Sequence, residues 1–212
     1  LIKYRIKIEI EYLIALSNEK EIKSLKPFTK KEIDNLRKIY LQFDLSEAKK
    51  IKKIENETNH DVKAIEYYLH TRIKKELHAW IHFGLTSEDI NNLCYTLMWK
   101  DSIENEYIKI LIKVIDELKL ISKKYKNISL LSLTHGQPAS PTTVGKEFAV
   151  FSHRITKSLK SLRKHSFEAK FSGATGNWSA HSVSFKEVNW VEFSKKFLIS
   201  FDLQPNLITT QI

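Results

Sequence analysis

Three short stretches of the chain carry residue types that can do chemistry. Thr134-His135-Gly136-Gln137-Pro138 sets an imidazole, the side chain that takes and gives protons near neutral pH, between hydrogen-bonding neighbours in a Gly/Pro-bounded stretch. Thr58-Asn59-His60-Asp61-Val62-Lys63 places an imidazole and an ammonium at the entry to a helix, whose free N–H groups attract anions. Thr86-Ser87 opens another helix with two hydroxyls, a ready carboxylate or phosphate site. Each also has a plain structural reading: a surface-loop histidine, capping by Asn59 or Asp61, and a simple helix cap. Adjacency does not make His60 and Asp61 a catalytic pair, because sequence neighbours on a helix point apart. His70, His78, His82, His153, His165 and His181 lack metal-ligand spacing. His78 and His82 are four apart with no third ligand in register, so no metal is expected. No Gly-rich phosphate loop and no G-x-S-x-G elbow is found.

These stretches need rigid elements to hold them, and helical periodicity dominates the rest. Thr29-Lys30-Lys31-Glu32 is a capping box, followed by Ile33, Leu36 and Tyr40 on one face. Ser46 is expected to cap a helix carrying Ile51 and Ile54, and a further helix is expected over about 62–73. From Thr86-Ser87-Glu88-Asp89 a stripe of Ile90, Leu93, Leu97, Ile103, Tyr107, Ile110, Val114, Leu118 and Ile121 runs more than thirty residues with one six-residue step. A helix that long belongs to a bundle. Others are expected over about 143–170, with Phe148, Phe151, Ile155, Leu159 and Leu162 inward, and over about 186–200. Residues 2–12 disagree: Ile2, Tyr4, Ile6, Ile8, Ile10 and Tyr12 alternate as in a strand, while Ile2, Ile6, Ile10 and Leu13 also form a helical stripe. No partner strand is visible, which favours a helix. Breakers gather in 135–141 and in Ser172-Gly173-Ala174-Thr175-Gly176-Asn177, each read as a loop between helices.

Composition bounds the classes. Of 212 residues 42% are hydrophobic, which supports a core and excludes a disordered chain. One cysteine, Cys94, excludes a disulfide framework and fits a reducing compartment. No apolar run is long enough to cross a membrane. Five Gly and four Pro, where average usage gives roughly 25 together, argue for long helices with few tight turns. The net charge of +10 raises the possibility of a basic nucleic-acid-binding module, but the lysines are spread over nearly every helix rather than gathered in one stripe.

Together the motifs resemble a known family. Asn59-His60-Asp61-Val62-Lys63-Ala64, Thr86-Ser87-Glu88-Asp89-Ile90-Asn91-Asn92, Thr134-His135-Gly136-Gln137-Pro138-Ala139 and Gly145-Lys146-Glu147 are similar to adenylosuccinate lyases of the bacterial-type branch, in the fumarase/aspartase superfamily. Gly173-Ala174-Thr175-Gly176-Asn177 and Thr209-Thr210-Gln211-Ile212 extend the likeness over nearly the whole chain. Gly-Gln after Thr-His, where fumarases and aspartases have Leu-Gln, favours this branch.

The resemblance implies an all-α fold: a small N-terminal helical domain (1–85), then the first part of a long-helix bundle (86–212). It implies a cytoplasmic homotetramer with shared active sites and no cofactor, metal, nucleic acid or membrane partner. The implied reaction is β-elimination of fumarate from adenylosuccinate and from the succinyl-carboxamide ribotide of purine biosynthesis. His135 matches the general acid, and Thr134 its support. Asn59, His60 and Asp61 match substrate-binding positions, Thr86 and Ser87 the site of a succinyl carboxylate, and Gln211 a nucleotide-site glutamine.

Three departures accompany these matches. The family's Ser-Ser-x-Met-Pro loop, which carries the base serine, and its early Arg-Tyr pair have no counterpart here. Leu133 stands where these enzymes commonly have Arg. With Leu rather than Met first, the chain reads as an internal fragment expected not to catalyse elimination alone. A non-catalytic helical scaffold would account for the missing serine, but not for three site motifs together.

Overall fold

A computed structural model describes residues 1–212. The chain is mostly helical and divides into two compact units, residues 1–99 with 167–212, and residues 100–166.

The first unit is built around α1 (Ile2–Ser17). Ile6, Ile8, Ile10, Tyr12, Leu13 and Leu16 have no solvent exposure, so this helix is enclosed on several sides. That explains its misleading alternation: past the first turn only Lys7, Glu11 and Ala15, four apart, escape burial, too narrow a stripe to mark the helical period. The polar residues of its interior face, Arg5, Glu9 and Tyr12, follow at i, i+4 and i+7.

α2 (Lys30–Leu41) starts with the expected capping box, Thr29 Oγ1 accepting from Glu32 N and Glu32 accepting from Thr29 N. α3 (Leu45–Thr58) is capped by Asp44 rather than Ser46. The Asp44 carboxylate accepts Glu47 N at 3.0 Å and the Ser46 hydroxyl at 2.8 Å, so the charged acceptor takes the cap and the serine supports it. α4 (Asp61–His70) ends three residues short of expectation at Thr71, whose N–H returns to Tyr68 O. A 3₁₀ turn (Lys75–Trp80) leads to α5 (Ser87–Ser102).

Helical backbone continues from α5 through a π turn at Ile103–Tyr107 into α6 (Ile108–Lys124). The π turn begins at Ile103, where the six-residue step of the sequence stripe ends. Ile90, Leu93 and Leu97 are buried as expected, whereas Tyr107, Ile110 and Val114 are exposed. No helix is long and apolar enough to cross a membrane.

In the second unit α6 packs on α7 (Val144–Leu162). α7 ends before 170, and its Phe151 is exposed while Leu159 is buried. The 135–141 stretch is not a loop. It belongs to an antiparallel hairpin, β1 (Ser129–Thr134) and β2 (Gln137–Thr143), with Thr134 opposite Gln137.

Back in the first unit, β3 (Glu168–Ala169) pairs in parallel with β4 (Gln204–Pro205). Between them lie α8 (Ser179–Ser184), which periodicity did not reveal, and α9 (Trp190–Ile199), shorter at its start than the expected 186–200. The rings of Tyr12, Phe171, Phe193 and Phe197 join α1 to this segment.

Candidate active site

In the first unit the Asn59-His60-Asp61 stretch is the sharp joint between α3 and α4. Asn59 adopts a left-handed conformation (φ 51°) and closes α3 through its N–H on Glu55 O. His60 then caps α4, its Nδ1 accepting from Lys63 N at 3.1 Å. Because Nδ1 is an acceptor, the proton of the neutral ring belongs on Nε2. Asp61 Oδ1 accepts Val62 N at 2.8 Å and Oδ2 pairs with Arg5 of α1. The His60–Asp61 separation of 3.7 Å exceeds a hydrogen bond, as expected for neighbours. Glu55, Asn56, Asn59, His60 and Asp61 line an open cavity of about 470 Å³.

Thr86 and Ser87 stand at the start of α5. Here the cap is made from inside the helix: Asp89 Oδ2 accepts Thr86 N at 3.0 Å. Asp89 has no exposure, and it also accepts Ser172 N at 3.0 Å and Gly173 N at 3.1 Å, with Lys170 Nζ at 3.0 Å. Buried Lys170 donates onward to Gly173 O at 2.7 Å and Thr210 O at 3.3 Å. Ser172 Oγ and Thr209 Oγ1 lie 3.1 Å apart. The Asn92 amide bonds Lys170 through both backbone groups. One buried ion pair thus gathers the start of α5, the 172–177 loop and residues 209–211. Gln211 Nε2 reaches Thr86 Oγ1 at 3.4 Å.

The second unit holds Thr134 and His135 at the hairpin tip. His135 (φ 50°) and Gly136 (φ 75°) are the two central residues of the turn, both left-handed, the requirement of a type I′ hairpin. Both candidates are exposed, as is Leu133 opposite Pro138.

The first unit therefore joins Gln211 to Thr86, and Asp61 through Arg5 to α5, where Arg5 Nε donates to Asn91 Oδ1 at 3.0 Å. Sequence reading named neither Arg5 nor the Asp89–Lys170 pair. The signal for Arg5 was only its place among the charged residues Lys3, Arg5, Lys7, Glu9 and Glu11 that alternate with the apolar ones, which does not single it out. For Asp89 it was an acid three residues after Thr86.

The family model described as Lyase matches residues 2–210. The chain belongs to the lyase family. Among relatives of this lyase-family chain, adenylosuccinate lyase of Dictyostelium discoideum is 45% identical over 225 residues, covering 100% of the chain and 48% of that protein. Adenylosuccinate lyase of Escherichia coli (strain K12) is 41% identical over 217 residues, with 100% and 48% covered. The crystal structure of a fumarate lyase from Mesorhizobium sp. BNC1 superposes with a TM-score of 0.79 over 98% of the chain and 47% of that structure. At 16% identity, that likeness establishes the shared fold alone. The chain spans about half the length of the curated relatives it matches.

Proposed function

We propose that the protein carrying this chain releases fumarate from adenylosuccinate, leaving AMP, and performs the same elimination on the succinyl-carboxamide ribotide. The observation that carries the reading is the 45% identity, along the whole chain, to a relative bearing the name adenylosuccinate lyase. The local geometry agrees with the demands of such a substrate. It bears a phosphate and two carboxylates, and the half-buried Thr86 and Ser87 hydroxyls stand at the positive end of the α5 dipole, while the first N–H groups of α4 are already held by Asp61 and His60. Gln211, bonded to Thr86, supplies an amide next to the α5 start.

In the elimination a base removes a proton from carbon adjacent to a carboxylate. That electron pair forms the C=C bond of fumarate as the C–N bond breaks, and the nitrogen leaves with a proton from a general acid. His135, supported by Thr134, is the acid in this reading. Asn59, His60, Asp61, Thr86, Ser87 and Gln211 bind substrate. The base is a serine on a loop that has no counterpart in residues 1–212.

Residues 1–85 are the N-terminal domain and 86–212 the first part of a bundle that tetramerises in the cytoplasm. The exposed Tyr107, Ile110 and Val114 support this, since an apolar stripe on a long helix needs partners. Packing within one chain need not follow that domain division, because the long helices of a shared bundle take neighbours from other subunits.

The test is ultraviolet absorbance of the protein with adenylosuccinate. AMP and fumarate are expected to appear in equal amounts. No fumarate, with salt-sensitive binding of RNA or DNA instead, would favour the nucleic-acid reading.

A further inference from the structure

We infer that Arg5 is a positioning residue, holding the His60 helix start and the Thr86-Ser87 helix start at a fixed separation; this rests on the reading of those residues as substrate-binding. Arg5 projects from enclosed α1 with its side chain 5% exposed. Its Nε donates to Asn91 Oδ1 at 3.0 Å and its Nη2 to Asp61 Oδ2. Asp61 is the first residue of α4 and its other carboxylate oxygen takes Val62 N, so Arg5 holds the turn in which His60 caps the helix. Asn91 lies one turn inside α5, four residues past Ser87. One planar guanidinium thereby sets two helix starts that are far apart in sequence.

The rest of α1 acts in the same sense. One turn on from Arg5, Glu9 accepts His82 N at 3.0 Å and pairs with His82 Nδ1 at 2.7 Å, just before Thr86. The α5 entry is therefore tied to α1 from both sides, through Asn91 and through His82. A guanidinium suits this task because its Nε and Nη2 donors are fixed in one plane. A lysine ammonium keeps the charge beside Asp61 but cannot reproduce that two-acceptor fork.

The test compares wild type with Arg5→Lys in the protein carrying this chain, reading steady-state kinetics and amide hydrogen exchange. Arg5→Lys is expected to raise KM for adenylosuccinate about tenfold with kcat within about threefold, the pattern of lost ground-state positioning. Exchange should accelerate in 59–64 and 86–92 and stay at the wild-type rate in 30–41. A merely structural role would lower the folded fraction and speed exchange throughout the first unit, with KM unmoved; that result overturns the inference. Unchanged exchange in both segments overturns it too. Arg5→Met removes the whole fork and should exceed the effect of lysine; if it does not fold, Arg5→Lys decides. Should wild type show no turnover, the elimination reading fails. Exchange still judges Arg5: local acceleration supports the anchoring and its absence overturns it.

Discussion

Gln211 Nε2 donates to Thr86 Oγ1 at 3.4 Å across 125 positions of sequence. The contact depends on how residues 209–211 are seated, and Gly176 controls that seat. With φ 77°, a Cβ there would stand 2.0 Å from Thr209 O. Gly176→Ala is expected to destabilise by more than about 2 kcal/mol, combining left-handed strain with a backbone clash. Gly136 has φ 75° but nothing within 4 Å of its added Cβ. Gly136→Ala should therefore cost only about 1–2 kcal/mol of strain. Denaturant unfolding of the two variants checks the order.

The Asp89–Lys170 pair predicts an asymmetry. Both Asp89 oxygens accept backbone N–H groups, so an amide NH₂ in either orientation faces a donor. Asp89→Asn also strips buried Lys170 of its counter-charge, and should cost about 3–5 kcal/mol. Lys170→Met leaves Asp89 the N–H groups of Thr86, Ser172 and Gly173, and should cost less. Equal losses in chemical denaturation would contradict this account of the pair.

His82 gives a pH dependence. Burial works against its charge, but the hydrogen bond and charge of Glu9 outweigh burial and raise its pKa above the ordinary value. A raised pKa makes the stabilisation complete below about pH 6.5 and removes it as pH rises through the folded value. Glu9→Gln should therefore be most destabilising, relative to wild type, near pH 6 and progressively less so toward alkaline pH. Thermal unfolding across that range measures the gap; a gap that widens with pH contradicts the pairing.

His181 behaves oppositely. The single Tyr12 hydroxyl proton goes to Phe83 O at 2.8 Å, so His181 Nε2 must donate to Tyr12 Oη, leaving Nδ1 buried without a partner. Burial pushes its pKa down to about 4, against the opposing charge of Asp89. Its contribution is full above about pH 6.5 and falls by roughly 3 kcal/mol as pH drops toward 4. His181→Gln keeps a donor and cannot titrate, so its deficit relative to wild type should shrink over that window. A constant deficit in urea unfolding would remove His181 from this role.

The long helices were legible because their stripes and breakers are local. So was the capping box at Thr29, which needs only four residues. The hairpin at His135 was not: Pro138 and Pro141 weaken a strand reading, and a His-Gly turn lacks the familiar Asn-Gly signal. The motif residues of the candidate site were singled out by residue type and by their likeness to a family. What fastens them could not, because Arg5 meets Asp61 and Asn91, and Asp89 meets Ser172, across separations that only the fold closes. α1 concealed its period for the same reason that it organises the unit: it is enclosed.

The most direct test of elimination with His135 as the acid is the turnover of adenylosuccinate by wild type and His135→Asn, side by side in the protein carrying this chain. Wild type is expected to release fumarate, with kcat lower by about a hundredfold or more in the variant, the scale of a lost general acid, and KM little changed. Equal kcat in the two proteins would contradict it.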